Sequence, residues 1–316
     1  MKSFDRDLVG YGQSSPNPRW PKKSKLAINF IVNVEEGSEY SPLLGDKKSE
    51  SGLSEVPGGR HKENQRDLGI ESIYEYGSRV GFWRLTSLFD KYRIPHTYFV
   101  CALTLLQNKE ICNYIKKSQN DICCHGYRWE EHYKLTKKKE QNQISKAFNL
   151  IEKLTNKAPR GWYCRYAPSE NTRELIVQNG NFLYDSDAYN DDLPYWVNVN
   201  KKKHLVVPYS LDTNDVHFKL PSGFSGSNQF YEYVCDTINY LYKEGAHKPK
   251  MLNIGLHPRL IGRPGRIVAV EKIINHIKKL NKVWICNREE IASLNLKLPL
   301  IPVTIPRGIF FFSSTG

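Results

Sequence analysis

Short apolar segments alternate with amphipathic helical segments along most of the chain, and this alternation constrains the fold more than any other feature. The first, "NFIVNV", has the density of β-branched and aromatic residues typical of a strand buried on both faces. Segments such as "QISKAFNLIEKL" have apolar residues at helical spacing, and the strand-then-helix pattern recurs about seven times. The rhythm predicts an α/β protein, and 316 residues favour a distorted (β/α) barrel of about seven parallel strands over an open sheet.

The alternation predicts a single domain over residues 1–297, followed by a C-terminal tail at 298–316. Residues 38–70 interrupt it with a loop of about 30 residues that lacks periodicity. Because loops of this length inside a domain are commonly functional, we expect a lid or a substrate-binding loop here.

Composition excludes several classes of partner. The net charge is +13, yet the lysines occur in short separate runs without interleaved aromatic residues, so we expect a solvated surface and no nucleic-acid partner. No apolar run approaches the length of a membrane span, so we expect no membrane partner. Seven scattered cysteines without a CxxC pair, and no apolar leader segment, favour a cytoplasmic location. The oligomeric state stays open, with a homo-oligomer among the alternatives.

Ionisable residues stand at the predicted carboxyl ends of the strands, where barrel enzymes carry their active sites. Burying such groups in a hydrophobic core without partners costs free energy. Their position together around one rim therefore predicts an active site for a small-molecule substrate. The residues are Glu35, Glu36, His125, Arg165, Asp212, Asp215 and His257.

Two interpretations of this rim differ in whether a metal ion takes part. A hydrolytic zinc ion typically takes three protein ligands, mostly histidine and carboxylate. The residue one helical turn after His125 is Trp129, which cannot bind zinc, and His132 would reach only if the segment turned back. We favour a metal-free site without a cofactor, with a metal bound through His125 and His132 as the alternative.

Without a metal, a side chain must activate water as a general base. Glu35 or Glu36 could serve if burial or the neighbouring acid raises its pKa. Arg165 could hold one acid in its charged form or clamp a substrate carbonyl. His257 would suit a proton donor to a leaving nitrogen.

The segment "DSDAYNDDLPYW" is dense in acids but lacks the glycine and the final glutamate of a calcium loop. We interpret it as a surface loop with Asx turns. Its aromatic residues Tyr189, Tyr195 and Trp196 could instead line a wall of the substrate site.

These residues lie in motifs that resemble the polysaccharide deacetylase (NodB homology) superfamily, and in particular its metal-independent allantoinase branch, which occurs in urate-catabolism clusters. The resemblance covers most of the chain, from "RDLVGYG" to "NREEIASL". Its segments are "RWP", "NVEEGSE", "ESIYEYGSRVGFWRL", "CCHGYRW", "FLYDSDAYNDDLPYW", "HLVVPYSLDTNDVHF" and "KMLNIGLHPRLIGRPGR".

The resemblance implies positions for the metal-binding groups of the superfamily, whose metal-dependent members carry an Asp-Asp pair and a His-x-x-x-His motif. Glu35 stands at the base and Glu36 at the metal-binding aspartate. His125 stands at the first metal-binding histidine, and Trp129 replaces the second. The allantoinase branch shares this loss.

The resemblance also implies the remaining roles. Arg165 corresponds to the arginine that orients the base, and His257 corresponds to the general acid. Asp212 or Asp215 would belong to the acidic motif that supports the general acid. The segment "GWYCRYAPSENTREL" departs from the allantoinase branch, with a shifted arginine and a loop one residue longer at a rim that should contact the substrate.

We therefore expect a hydrolase of carbon–nitrogen bonds other than peptide bonds that opens a cyclic amide such as allantoin. A carbohydrate N-deacetylase acting on chitooligosaccharides, and a retired catalyst that only binds a ligand, are the alternatives. The expected catalytic residues are Glu35, Arg165 and His257. The expected substrate contacts are Glu36, His125, Trp129, Tyr189, Trp196, Asp212 and Asp215.

Overall fold

The structure is a computed structural model that describes residues 6–55, 62–166 and 168–297. The expected C-terminal tail lies outside the described residues, so the division of the chain at residue 297 stays a prediction. Among the described residues, no helix is both long enough and apolar enough to cross a bilayer.

Strands and helices alternate, as the sequence predicts. The strands are β1 (Leu26–Val34), β2 (His96–Val100), β3 (Asp121–Cys124), β4 (Gly161–Trp162), β5 (Tyr184–Asp185), β6 (Tyr195–Val199), β7 (Lys202–Val206), β8 (Lys250–Leu256) and β9 (Val283–Ile285). The helices are α1 (Leu68–Tyr76), α2 (Phe82–Tyr92), α3 (Ala102–Gln107), α4 (Lys109–Lys117), α5 (Lys137–Thr155), α6 (Thr172–Asn179), α7 (Ser227–Glu244), α8 (Pro258–Ile261), α9 (Pro264–Ile277) and α10 (Arg288–Lys297). A π-helical turn (Gly77–Gly81) joins α1 to α2.

One curled sheet runs in the order β6-β7-β5-β4-β3-β2-β1-β8, and β9 also pairs with β1. Every pairing is parallel except that of β6 with β7. Two irregular segments form backbone hydrogen bonds with β8. Met251 N donates to Asp192 O over 2.9 Å, and Gly255 N donates to Thr213 O over 3.1 Å. The predicted distorted (β/α) barrel is confirmed in the form of a half-barrel with a mostly parallel sheet.

The sheet has nine strands, more than the predicted seven or so. The interpretation of the acidic segment as a surface loop is wrong for part of it, because Asp185 lies in β5 and Trp196 in β6, both buried. The carboxylate of Asp185 pairs with Arg173 at 2.8 Å and with His204 at 3.1 Å. These two partners, distant in sequence, offset the free-energy cost of burying the charged carboxylate.

All nine residues of β1 are buried, because the strand pairs along both edges and both faces are covered. Alternate side chains divide between two core clusters. Leu26, Ile28, Phe30, Val32 and Val34 pack with residues of the surrounding helices. Ala27 and Ile31 pack inside the curl with Phe99, Tyr163 and Tyr209. The same alternation directs Asn33 and Glu35 into the half-barrel and Glu36 towards the helices.

Candidate active site

A cavity of about 260 Å³ opens at the carboxyl ends of the strands. Glu35 follows β1 directly, His125 follows β3, and His257 follows β8, so the strand order brings these three side chains to the cavity. The complete lining is Asn33, Glu35, Leu53, His125, Trp129, Tyr163, Arg165, Tyr166, Tyr209, Leu211, Asn214, Val216, His217, Leu220 and His257.

Glu35 lies at the centre of the charged groups and is 1% exposed. Its Oε1 atom lies 3.1 Å from His125 Nε2 and 3.6 Å from His257 Nε2. Its Oε2 atom lies 2.8 Å from Arg259 Nη1. Two imidazoles and one guanidinium therefore converge on a single carboxylate.

These neighbours decide the charge of Glu35. Burial by itself raises the pKa of the carboxyl, but Arg259, His257 and His125 favour the charged form and bring the pKa well below its ordinary range. Glu35 is therefore a carboxylate at neutral pH, and the expectation that burial or the neighbouring acid raises its pKa is wrong for this residue because its cationic neighbours outweigh burial.

The far side of each imidazole is held by an acceptor. His125 Nδ1 lies 2.9 Å from Tyr163 O, and His257 Nδ1 lies 2.6 Å from the Oδ1 atom of Asp215. Asp215 also accepts the backbone N–H of His257 over 2.7 Å. A carbonyl and a carboxylate can only accept, so each Nδ1 carries a proton and each Nε2 faces Glu35. A proton on Nε2 makes either ring an imidazolium that the carboxylates stabilise.

Glu36 lies on the opposite face from Glu35 and does not line the cavity. Its Oε1 atom lies 3.6 Å from Arg259 Nη1, and a Cβ atom on Gly77 would overlap its carboxyl group. Burial raises the pKa of Glu36; Arg259 offsets part of the rise, and the charge on Glu35 adds to it. The structure therefore separates Glu36 from the position expected for a substrate contact.

Arg259 is a site residue that sequence reasoning missed. It is fully buried and stacks over Tyr74, with its guanidinium carbon 4.4 Å from the ring centre. The short helix α8 turns the chain back after His257, which brings Arg259 against Glu35. The basic segment "HPRLIGRPGR" was the available signal, but the sequence does not reveal which of its arginines turns inward.

Arg165 does not contact Glu35, so the expectation that it orients the base is wrong. Its guanidinium donates to Glu50 over 2.6 and 3.1 Å, to Trp129 O over 3.3 Å and to Tyr166 Oη over 3.1 and 3.2 Å. Glu50 belongs to the long loop, and a partner so distant in sequence could not be foreseen. Arg165 still lines the cavity, as a wall residue.

The long loop contributes to the same wall in its described part. Leu53 lines the cavity, and Leu53 O accepts from Arg259 Nε over 3.3 Å. Residues 56–61 of the expected lid lie outside the described residues. The lid role itself stays a prediction.

The residues present do not fit the metal site of the superfamily that the sequence resembles. Arg259 already places a positive charge beside Glu35, and Glu36 points away from the cavity. Trp129 stands where a second histidine would be, buried, with its ring 3.6 Å from the Arg165 guanidinium carbon. A divalent cation would meet a guanidinium and an indole in place of two of its ligands.

The alternative metal site through His125 and His132 is not formed. His132 Nδ1 lies 3.1 Å from Glu140 Oε1, and its ring packs against Trp162 at 5.3 Å. His132 is absent from the lining of the cavity. Within residues 6–55, 62–166 and 168–297, no group of three or more His, Cys, Asp or Glu side chains is arranged to hold a metal ion.

Of the other predicted substrate contacts, one lies beside His257 and three lie away from the cavity. Asp215 supports His257, whereas Asp212 is exposed and accepts from the Tyr233 hydroxyl. Tyr189 and Trp196 do not line the cavity. The Tyr189 hydroxyl forms a hydrogen bond with that of Tyr163 over 2.8 Å, and Trp196 packs in the core cluster inside the curl of the sheet.

Comparisons with known proteins found one matching family model and several similar proteins. The family model "Polysaccharide deacetylase" matches residues 62–182. A Schizosaccharomyces pombe protein named "Putative polysaccharide deacetylase" is 39% identical over 307 residues, covering 91% of this chain and 95% of that protein. Two solved structures each have a TM-score of 0.91 and cover 95% of this chain and 100% of their own: a "probable Polysaccharide deacetylase" from Pseudomonas aeruginosa PAO1, at 43% identity, and "Puue Allantoinase", at 42%.

Proposed function

Since the chain belongs to the polysaccharide deacetylase family, we propose that it hydrolyses a carbon–nitrogen bond and that its substrate is a cyclic amide such as allantoin. The observation that carries the proposal is the buried carboxylate of Glu35, surrounded by two imidazoles and a guanidinium where the metal ligands of the superfamily are incomplete. The 42% identity to "Puue Allantoinase" over almost the whole chain supports the choice of substrate.

Glu35 is the proposed base. Arg259 keeps its carboxylate ionised, so the form that accepts a proton is always present near neutral pH. As the water oxygen bonds to the substrate carbonyl carbon, the water proton moves to Glu35.

His257 is the proposed acid. Its imidazolium, held by Asp215, donates the Nε2 proton to the ring nitrogen as the carbon–nitrogen bond breaks. The proton on Glu35 then passes to His257 Nε2, 3.6 Å away in the free enzyme, which restores both groups. The low pKa of Glu35 favours this return.

The cavity supports a small substrate. Its volume of about 260 Å³ lies just below the usual range of small-molecule sites, which begins at about 300 Å³. Leu53, Trp129 and Leu220 are apolar parts of its wall, which suits a single small ring better than an extended polymer.

A carbohydrate N-deacetylase is the second candidate, because the two other close relatives are named as polysaccharide deacetylases. Release of acetate from an N-acetyl group would use the same base and acid. The incomplete metal ligands weigh against it, since a poorly reactive acetamide usually relies on a metal to activate water.

The test is turnover of allantoin and of chitooligosaccharides, each with and without a chelator, by the wild-type protein and by Glu35→Gln. We expect ring opening of allantoin that the chelator does not change. Glu35→Gln should lower kcat by about 10²-fold or more, because the amide cannot accept the water proton. The matched control is Glu271→Gln, which should retain wild-type rates. The carboxylate of Glu271 is partly exposed and pairs with Lys91 at 2.8 Å.

Each contrary result has a distinct meaning. Near-normal turnover by Glu35→Gln would remove Glu35 from the role of base. Acetate release that the chelator abolishes would establish the deacetylase and overturn the metal-free mechanism. Binding of a ligand without turnover of either substrate would identify a retired catalyst.

A further inference from the structure

Attack of water on a carbonyl leaves negative charge on the carbonyl oxygen, and hydrolases place a hydrogen-bond donor at that position. Arg165 lines the cavity but cannot supply the donor, because all of its N–H groups already donate to Glu50, Trp129 O and Tyr166 Oη. The Nε2 atoms of His125 and His257 face Glu35. A different cavity residue must therefore stabilise the oxyanion.

The hydroxyl of Tyr209 accepts two hydrogen bonds from side-chain amides. Asn214 Nδ2 donates to it over 2.9 Å, and Asn33 Nδ2 donates to it over 3.3 Å.

The orientation of both amides is fixed by backbone groups. Asn214 Oδ1 accepts from Val216 N over 2.9 Å, so its nitrogen must face Tyr209. Asn33 Nδ2 also donates to Leu256 O over 3.2 Å, which a flipped amide could not do. Both lone pairs of the phenol oxygen are therefore used.

The proton of the Tyr209 hydroxyl has no acceptor within the described part of the chain. A hydroxyl has one proton and two lone pairs, and both contacts at this oxygen are with donors. Tyr209 lines the cavity together with Glu35 and His257. A ligand carbonyl in the cavity is the acceptor that this proton lacks.

The packing around Tyr209 holds the hydroxyl in place. Its ring lies 5.4 Å from that of Phe99 and 5.0 Å from that of Tyr163. A Cβ atom on Gly255 would overlap the hydroxyl oxygen, so β8 leaves room for it only because that residue is glycine. Burial raises the pKa of Tyr209, so the phenol stays protonated at neutral pH.

We propose that the Tyr209 hydroxyl donates a hydrogen bond to the substrate carbonyl oxygen and stabilises the oxyanion, a role that rests on the proposed hydrolysis of a cyclic amide. Two amide donors polarise the phenol and strengthen it as a donor. The hydroxyl is positioned before the reaction and shielded from water, which is the condition under which such a donor contributes most.

Tyr166 is the other cavity phenol whose oxygen accepts two N–H groups, both from Arg165. Tyr166 is 43% exposed, so its hydroxyl can donate a hydrogen bond to water. Tyr209 is 3% exposed and has no such alternative.

The first test is the steady-state kinetics of Tyr209→Phe with allantoin. We expect kcat to fall by about 10²–10³-fold with a much smaller change in KM, because the lost bond strengthens as the oxyanion forms. Tyr240→Phe makes the same chemical change on the exposed face of α7 and should leave both constants unchanged. An unchanged kcat in Tyr209→Phe, or an increase in KM alone, would overturn the inference.

The second test is independent of turnover. The infrared carbonyl stretch of ¹³C-labelled hydantoin is compared when it is bound to Glu35→Gln and to the double variant Glu35→Gln/Tyr209→Phe. We expect the frequency to be lower in the single variant, since a donated hydrogen bond weakens the C=O bond. Equal frequencies, or failure of hydantoin to bind, would overturn the inference. A frequency difference without allantoin turnover by the wild type would instead reject the proposed reaction and retain Tyr209 as the carbonyl donor.

Discussion

At the scale of single residues, Arg259 controls the charge of the buried glutamate pair. Its Nη1 atom lies 2.8 Å from Glu35 and 3.6 Å from Glu36, and it is fully buried. Burial raises the pKa of both carboxyls, but only at Glu35 do the cationic neighbours outweigh it. Adjacent residues of the same type therefore have pKa values shifted in opposite directions, lowered at Glu35 and raised at Glu36.

Replacing this guanidinium should change the pH dependence of the reaction. Arg259→Met removes the largest of the neighbours that lower the pKa of Glu35, so this pKa rises and the carboxylate needed as base forms only at higher pH. We expect the acidic limb of the kcat/KM profile to move up by about 2 pH units, the order expected for loss of an adjacent opposite charge.

Two further variants separate this effect from a general loss of structure. Arg259→Lys restores a positive charge and should return the limb part of the way. Arg263→Met removes a guanidinium that stacks on Tyr76 at 3.5 Å and should leave the profile unchanged. An acidic limb in Arg259→Met that matches the wild type would contradict the role given to this residue.

At the scale of elements, the π-helical turn between α1 and α2 holds the end of β8 in place. π-helical turns inside helices often occur at functional sites. A Cβ atom on Gly81 would overlap the carbonyl oxygen of Pro258, the residue between His257 and Arg259. This close approach of helix and turn sets where the acid and the guanidinium stand.

Gly81→Ala should therefore lower both stability and activity. The overlap is with backbone, so the turn at Pro258 must shift, and we expect a loss of about 1–3 kcal/mol in the free energy of unfolding. We also expect kcat to fall at least about 10-fold, because His257 and Arg259 move with the turn. Urea unfolding and steady-state kinetics measure the two effects.

Gly265→Ala is the matched control. Gly265 lies in the first turn of α9, and a Cβ atom there would meet no atom within 4 Å. Alanine should raise the free energy of unfolding by about 0.5–1 kcal/mol and leave kcat unchanged. A Gly81→Ala protein with the stability and kcat of Gly265→Ala would show that the turn does not depend on this contact.

At the scale of the whole molecule, buried carboxyls make folding depend on pH. Burial raises the pKa of Glu39, Asp121 and Asp187 from ordinary values of 4.5, 3.8 and 3.8 to about 7 in each case. Between these limits the folded chain holds protons that the unfolded chain releases. The free energy of unfolding should therefore fall as the pH rises from about 4 to about 7.

Asp121→Asn should reduce this fall, because the amide is neutral at every pH. We expect a melting temperature at least about 2 °C above wild type at pH 8, and a smaller difference at pH 5. Asp236→Asn, at an exposed position of α7, should change the melting temperature equally at the two pH values. Parallel pH curves for wild type and Asp121→Asn would contradict the assignment of a raised pKa to Asp121.

The sequence predicts a distorted (β/α) barrel and the gathering of Glu35, His125 and His257, because local apolar patterns determine the strands and side chains at their ends meet at one rim. It fails at Arg165 and Arg259. Their environments depend on a loop partner 115 residues away in one case and on the direction of a short turn in the other. Neither of these two environments produces a periodic pattern in the sequence.

Alternation along β1 also limits how this protein can change in length. Insertion or deletion of one residue within the strand would reverse the parity of every following position. A deletion would bring Glu36 to the position beside the imidazoles, and an insertion would move Glu35 to the position packed against the π-helical turn. Homologues that keep this chemistry should therefore vary in length in the segments between strands and preserve the residue count of this strand.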